Sequence, residues 1–127
     1  MAAKRILVVD DEDDIREVAA LSLEMVAGYE VLSARSGTSA LSIAASEQPD
    51  AILLDVMMPE MDGPTTFQKL QAHPSTAHIP VVFLTAKVQP SEKARFASLG
   101  VSAVLSKPFD PLTLPNELAD ALGWPRP

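Results

Sequence analysis

The most constraining feature of this sequence is an alternation, repeated five times, between a short apolar run and a longer segment with helical periodicity. Parallel strands that are buried on both faces appear in sequence as continuous apolar runs, and a helix usually connects two of them. The alternation therefore predicts an α/β domain with helices on both faces of a parallel sheet. The predicted strands are residues 5–9, 29–33, 51–54, 81–84 and 101–105, and the predicted helices are residues 13–26, 37–47, 64–72, 91–99 and 112–122.

The ends of the predicted helices carry residues that favour termination. Gly28, Gly100 and Gly123 follow the first, fourth and fifth predicted helices, and glycine is the residue most often found just after a helix. The length of 127 residues fits one domain. We therefore expect a single domain over residues 1–123, followed by 124–127 as a short tail or the start of a linker.

Composition excludes several classes of function. The formal net charge of −7 argues against direct DNA binding, which needs a basic face. The sequence has no cysteine, so disulfides and thiolate metal sites are excluded, which fits a cytosolic protein. Lys4-Arg5 precedes only four apolar residues, whereas a signal peptide needs roughly 7–15 and a membrane span about 18. We expect a soluble, cytoplasmic protein that does not contact the membrane.

Charged residues follow three of the predicted strands. Asp10 and Asp11 come directly after the first strand, Asp55 after the third, and Lys107 after the fifth with one serine between. Because the carboxyl ends of parallel strands share one edge of the sheet, these side chains should meet there. Each aspartate taken alone could instead have an ordinary role, because an acidic side chain stabilises the positive end of a helix dipole or caps a loop. Three carboxylates together repel one another and need a cation, so we interpret the set as a Mg²⁺ site with a nucleophilic aspartate.

Three further positions near the ends of predicted strands or in turns also bear on the site. Thr85 ends the fourth apolar run, where its hydroxyl could donate to an oxyanion or where it could be a β-branched strand residue. Lys107 precedes Pro108, and such a bond permits a cis peptide that would redirect the lysine. Asp62 lies in a Pro-x-x-Asp-Gly sequence and is interpreted as a turn residue rather than a metal ligand.

Taken in order, these motifs resemble the receiver domain of two-component response regulators, of the chemotaxis-receiver type, over nearly the whole chain. The matching motifs are Asp10-Asp11, Asp55 with Met-Pro-x-x-Asp-Gly after it, Thr85-Ala86 and Lys107-Pro108-Phe109. The resemblance implies a three-layer α/β/α sandwich with five helices and a five-stranded parallel sheet of flavodoxin-like order 2-1-3-4-5. That order would place a topological switch point between the first and third strands.

The resemblance implies a role for each matched acidic residue. Asp55 corresponds to the phosphoacceptor. Asp10 and Asp11 correspond to ligands of Mg²⁺, for which Mn²⁺ could substitute. The remaining ligands implied are the Asp55 carboxylate and the backbone carbonyl of Met57.

The other matched residues correspond to groups that bind the phosphoryl group. Thr85 and the backbone N–H of Ala86 would bind its oxygens, and Lys107 would form an ion pair with them. The implied donor is a sensor histidine kinase or a histidine phosphotransfer protein, although small donors such as acetyl phosphate are also plausible. The resemblance implies that the domain is a phosphoacceptor rather than an enzyme. It would catalyse only its own phosphorylation and dephosphorylation. It also implies a downstream protein target and a monomer or weak dimer.

Two departures from the family pattern concern the readout and the phosphoryl lifetime. Val104 occupies a position where receivers commonly carry an aromatic residue, and Lys87 and Met57 occupy positions that tune acyl-phosphate hydrolysis in the family. A valine has one stiff torsion and cannot swing a ring. We therefore expect any response to phosphorylation to come from Thr85 moving and from residues 86–90 repacking.

Two other classes of function compete with the signalling module. Mg²⁺-dependent phosphatases with an aspartyl-phosphate intermediate carry a second acid two residues after the nucleophile, but Asp55 is followed by Val56 and Met57. A phosphorylation-independent interaction module could keep the fold alone, and the complete acidic set counts against that alternative.

Overall fold

A computed structural model describes residues 3–86 and 89–127. Within them, five strands alternate with five helices and form one parallel sheet of order β2-β1-β3-β4-β5, as predicted. In chain order the elements are β1 Arg5–Val9, α1 Asp13–Ala27, β2 Glu30–Ala34, α2 Gly37–Glu47, β3 Ala51–Asp55, α3 Gly63–Ala72, β4 Val81–Thr85, α4 Pro90–Ser98, β5 Ala103–Ser106 and α5 Leu114–Leu122.

Most element boundaries differ by one or two residues from the sequence-based ones, and local hydrogen bonds explain two of these differences. Strand β2 begins one residue late because the N–H of Tyr29 still donates to the Leu23 carbonyl of α1. Helix α5 begins two residues late because Asp110 holds the preceding turn, where its side chain accepts from the Leu112 N–H and its carbonyl from the Thr113 N–H.

The sheet divides the core into two halves because successive side chains of a strand point to opposite faces. One face packs against α2, α3 and α4, and the other packs against α1 and α5, which gives the predicted three layers. The first half of the core includes Leu7, Val9, Ile52, Leu54, Val81, Phe83, Ala40, Ala44, Phe67, Leu70 and Phe96. The second includes Ile6, Val8, Leu53, Val82, Leu84, Ala19, Leu23, Leu114 and Leu118.

Strand register brings the functional residues to one edge of the sheet. Val9 is paired with Leu54, so Asp10 and Asp55 are the next residues on adjacent parallel strands. On the other side of β3, Asp55 is paired with Leu84, which places Thr85 one residue further along β4. The order β2-β1-β3 puts the reversal of connection between β1 and β3, where α/β sheets open a crevice.

Two caps and one aromatic contact complete the frame. Ser36 caps α2 by accepting from the Ser39 N–H at 3.1 Å, and Asp62 caps α3 at 2.8 Å, which agrees with its interpretation as a turn residue. Beyond α5, Trp124 packs edge-on against Tyr29 with ring centroids 5.9 Å apart.

The domain limit at residue 123 stays a prediction. Among the helices of the described residues, none has the length and apolarity to cross a membrane.

Candidate functional site

The three predicted carboxylates meet at the carboxyl edge of the sheet. Asp10, Asp11 and Asp55 each offer a carboxylate oxygen, and these oxygens all lie within 4.8 Å of one another. Asp10 is 1% exposed and Asp55 3% exposed, while Asp11 lies at the surface. Two of the three charges are therefore withheld from water, which makes their mutual repulsion costly unless a cation is near.

Lys107 reaches into this cluster from the loop after β5. Its Nζ lies 2.8 Å from Oδ2 of Asp10 and 3.1 Å from Oδ1 of Asp55. The Lys107–Pro108 peptide is cis, as the sequence permits, and the Lys107 N–H donates to the Thr85 carbonyl at 2.9 Å. One ammonium thus bridges the two buried carboxylates and is itself attached to β4.

The pKa values follow from this arrangement. Burial raises the pKa of Asp55 to about 6, the negative charge of Asp10 adds to the rise, and Lys107 opposes it. Burial lowers the pKa of Lys107, but its close contacts with Asp10 and Asp55 and the attraction of both carboxylates outweigh burial and raise that pKa above its ordinary value. The lysine stays charged, whereas Asp55 needs more positive charge to ionise fully at neutral pH.

The donor set fits a hard divalent cation. Among the described residues, no donor reaches the buried Oδ2 of Asp10 in hydrogen-bonding geometry, so its compensation is the ion pair with Lys107. Three carboxylates against one ammonium leave a net negative charge, and oxygen ligands are those that Mg²⁺ prefers. The residues that could hold the ion are Asp10, Asp11 and Asp55.

The backbone after β3 runs along the site. Met57 is 74% exposed, and its N–H points toward Oδ1 of Asp55 at 3.4 Å. The side chain of Met58 is buried instead. Met57 is therefore placed where its main chain, rather than its thioether, faces the carboxylates.

A cleft of about 330 Å³ opens beside Val56 and Met57, the two residues that follow Asp55. Thr85 is buried at the end of β4, Ala86 is exposed directly after it, and these two of the three predicted phosphoryl-binding residues line the cleft. The far wall comes from α4. Its lining residues are Val56, Met57, Thr85, Ala86, Glu92, Arg95 and Phe96. Lys87 lies outside the described residues.

Two residues that support the site were not recognised from the sequence. Gly63 directly precedes the predicted third helix, and a Cβ there would lie 2.6 Å from the Asp55 carbonyl oxygen and 2.8 Å from Cα of Val56. The N–H of Gly63 also donates to the Val56 carbonyl at 2.9 Å. Arg16 donates to the Asp10 carbonyl at 2.8 Å. No pattern in the sequence separates this arginine from a solvent-exposed helix residue.

A family model described as the response regulator receiver domain matches residues 6–119 of the chain. The chain belongs to this family. Receiver domains are phosphoacceptor modules of two-component systems, and phosphorylation on an aspartate is their general function. They bind Mg²⁺ at an acidic pocket and interact with histidine kinases and phosphotransfer proteins. The predicted family, fold and general function are confirmed.

Two curated relatives of this receiver domain are named as transcriptional regulators. It is 42% identical over 106 residues to the DNA-binding dual master transcriptional regulator RpaA of Synechocystis sp., covering 84% of this chain and 44% of that protein. It is 39% identical over 122 residues to the phosphate regulon transcriptional regulatory protein PhoB of Pseudomonas aeruginosa, covering 96% of this chain and 53% of that protein. The chain thus spans about half the length of these relatives.

Solved structures give the same picture. The receiver domain superposes on the chemotaxis protein CheY4 of Vibrio cholerae with a TM-score of 0.87 at 33% identity, covering 94% of this chain and 99% of that one. A putative response regulator from Chloroflexus aurantiacus matches with a TM-score of 0.87 at 36% identity, covering 96% and 99%. The fold therefore matches almost the whole length of both of these chains.

Proposed function

We propose that Asp55 is the phosphoacceptor of this receiver domain and that its phosphorylation requires a divalent cation. The observation that carries the proposal is the position of Asp55. It is a buried carboxylate at the carboxyl end of β3, 3.1 Å from Lys107 and clustered with Asp10 and Asp11. Asp62, by contrast, already has a structural role as the cap of α3.

The chemistry is an in-line transfer to the Asp55 carboxylate. An oxygen of Asp55 attacks phosphorus, the bond from phosphorus to the donor nitrogen or oxygen breaks, and the donor leaves with the bonding electrons while an acyl phosphate forms. Lys107 stays within reach of Asp55 to ion-pair with the incoming oxygens. Thr85 and Ala86 line a cleft together with Val56 and Met57, the residues that follow Asp55. This receiver domain catalyses no reaction beyond its own phosphorylation and dephosphorylation.

The cation is proposed to be Mg²⁺, with Mn²⁺ as a substitute of similar ligand preference. Asp10, Asp11 and the Asp55 carboxylate would hold it together with the backbone carbonyl of Met57. When bound, it neutralises charge on the phosphoryl oxygens and on the carboxylates. Support comes from the clustered oxygens and from the buried Oδ2 of Asp10, which lacks a hydrogen-bond donor among the described residues.

The proposed phosphodonor is a sensor histidine kinase or a histidine phosphotransfer protein in the cytoplasm, where receiver domains typically act. The proposed output is a changed contact with a downstream protein, made by a monomer or a weak dimer. We do not expect these residues to bind DNA directly, although RpaA is named as DNA-binding, because the net charge of −7 repels phosphates.

The proposed readout does not use ring rotation. Val104 is 9% exposed and belongs to the core half that includes Phe83 and Phe96. A buried branched side chain has one stiff torsion, so it cannot act as a swinging reporter. We propose that Thr85 and the loop 86–90, of which residues 87 and 88 lie outside the described part of the chain, transmit the signal instead.

The decisive experiment compares the wild type with Asp55→Asn. Each protein is incubated with acetyl phosphate and Mg²⁺, and its intact mass is measured. We expect phosphoryl uptake by the wild type alone, because the asparagine keeps the shape of the side chain and loses the nucleophilic oxygen. Uptake by the wild type should also stop in excess chelator. Equal uptake by both proteins would refute the assignment of Asp55, and sustained turnover of a phosphomonoester would revive the phosphatase alternative.

Millimolar Mg²⁺ should raise the melting temperature of the wild type. The ion binds the clustered carboxylates only when folding assembles them, and linkage gives about 2.7 kcal/mol at one hundred times the dissociation constant. Asp11→Asn should reduce this shift, because it removes the exposed ligand without opening the core. A melting temperature of the wild type that does not move in a Mg²⁺ titration would contradict the metal site.

A further inference from the structure

Arg16 contacts the backbone of the site but is neither a proposed metal ligand nor a proposed phosphoryl-binding residue. It lies on the first turns of α1, and its side chain is only 15% exposed. Its Nη1 donates to the backbone carbonyl of Asp10 at 2.8 Å, and its Nη2 donates to Oδ1 of Asp13 at 2.5 Å. The planar guanidinium thus connects the end of β1 with the start of α1 through two directed hydrogen bonds.

The carbonyl that Arg16 holds belongs to the peptide joining Asp10 to Asp11. Because a peptide is planar, fixing the direction of its oxygen also fixes the direction in which the chain continues to Asp11. The rest of Asp10 is held separately, since its N–H donates to Ala34 at 3.2 Å and its Oδ1 accepts from the Glu12 N–H at 2.9 Å. Asp11 is exposed, so its carboxylate depends on this peptide for its placement.

We propose that Arg16 is a positioning residue for divalent cation binding, which it supports by orienting the Asp10–Asp11 peptide so that both carboxylates face Asp55. The inference rests on the proposed function, because it takes Asp10 and Asp11 as ligands of the ion. Asp13 aligns the guanidinium from its other end. A lysine at this position would keep the charge but could not make both bonds in the geometry of the guanidinium fork.

Positioning and simple electrostatics predict opposite effects of removing Arg16. A guanidinium close to the acidic cluster repels a divalent cation, so loss of its charge alone would tighten Mg²⁺ binding. Loss of the bond to the Asp10 carbonyl would instead loosen the ligand pair and weaken Mg²⁺ binding. Residues that orient metal ligands typically change metal affinity by about 10- to 100-fold when they are substituted. The sign of the change therefore distinguishes the two roles.

Arg35 provides a matched control. It is an exposed arginine that lies 3.6 Å from the same carboxylate oxygen of Asp13 that Arg16 contacts. The bond to the Asp10 carbonyl comes from Arg16 and not from Arg35. Arg35→Gln therefore removes one positive charge from the neighbourhood and leaves the Asp10–Asp11 peptide as it is.

The test is calorimetric titration of the metal-free proteins with Mg²⁺, without any phosphodonor. We expect Arg16→Gln to bind about ten-fold more weakly than the wild type, Arg16→Lys to lie between them, and Arg35→Gln to bind as well as the wild type or more tightly.

With acetyl phosphate, the Mg²⁺ concentration that gives half the maximal phosphorylation rate should rise about as much for Arg16→Gln, and saturating Mg²⁺ should restore the rate. A purely structural residue would instead lower the melting temperature in chelator and leave the Mg²⁺ dependence unchanged.

The outcomes distinguish failure of the proposed metal site from failure of the proposed role of Arg16. A wild type that does not bind Mg²⁺ overturns the metal site and the inference with it. A wild type that binds Mg²⁺, alongside an Arg16→Gln variant of equal or greater affinity, overturns the positioning role and leaves the proposed function intact. If Arg16→Gln does not fold at the assay temperature, Arg16→Lys replaces it, and wild-type affinity in that variant overturns the inference.

Discussion

Asp55→Asn should stabilise the metal-free protein at neutral pH by about 3 kcal/mol. Burial and the neighbouring charge of Asp10 raise the pKa of Asp55 from 3.8 to about 6, so the folded state holds a carboxylate that would ionise more readily in the unfolded chain. A difference of one pKa unit corresponds to about 1.4 kcal/mol, and the shift is roughly two units. The asparagine removes this cost. The remaining Lys107–Asp10 pair keeps the lysine neutralised.

The pH dependence of this effect has a definite sign. When folding raises the pKa of a carboxyl, ionisation of that carboxyl opposes folding. This cost to the free energy of unfolding is absent below the unfolded pKa, where the carboxyl is neutral in both states. It is fully present once the pH has risen through the folded pKa. The advantage of Asp55→Asn should therefore be largest above pH 6 and should shrink toward zero as the pH falls to about 4. Urea unfolding at several pH values in chelator measures it.

Two comparisons make the stability prediction specific to the buried site. Asp14→Asn removes an exposed carboxylate in the first turn of α1 and should change stability by about 0.5 kcal/mol or less, in the destabilising direction. Excess Mg²⁺ should favour the wild type over Asp55→Asn, because the variant loses one of the proposed ligands. If the difference between Asp55→Asn and the wild type does not vary with pH, ionisation of Asp55 is not its cause.

Gly63→Ala should destabilise the domain by about 3 kcal/mol, the upper part of the usual range for overpacking a well-packed interior. The added Cβ would lie 2.6 Å from the Asp55 carbonyl oxygen and 2.8 Å from Cα of Val56. Both are backbone atoms, which cannot swing aside as a side chain does. Relief requires α3 to move away from the end of β3, and this movement would break the bond from the Gly63 N–H to the Val56 carbonyl.

The same substitution should slow phosphorylation by acetyl phosphate, because the displaced backbone carries Asp55 and leads into Met57. Gly28→Ala is the control. Gly28 has a φ of 71°, and a Cβ added there would meet nothing within 4 Å, so alanine costs only left-handed backbone strain, about 1 kcal/mol. Gly28→Ala should leave the phosphorylation rate unchanged. Wild-type stability and rate in Gly63→Ala would show that the close approach of α3 to β3 does not matter.

The sequence by itself determined the fold class and the membership of the acidic cluster. Alternating apolar runs and helical segments leave few topologies, because crossovers between parallel strands are right-handed and parallel strands bury both faces. Asp10, Asp11 and Asp55 directly follow such runs, so the common polarity of the strands was sufficient to bring them to one edge. Lys107 was predictable for the same reason, because it follows the last run.

Only the tertiary structure decided how the site is held and how its groups ionise. The raised pKa of Asp55 depends on its burial and on its distance from Asp10, which sequence spacing does not contain. The importance of Gly63 depends on the approach of α3 to the backbone of another element. Arg16 reaches the Asp10 carbonyl only because α1 packs back over the end of β1. Such effects arise from contacts between elements, whereas the periodicity of a sequence reports only which face of each element is buried.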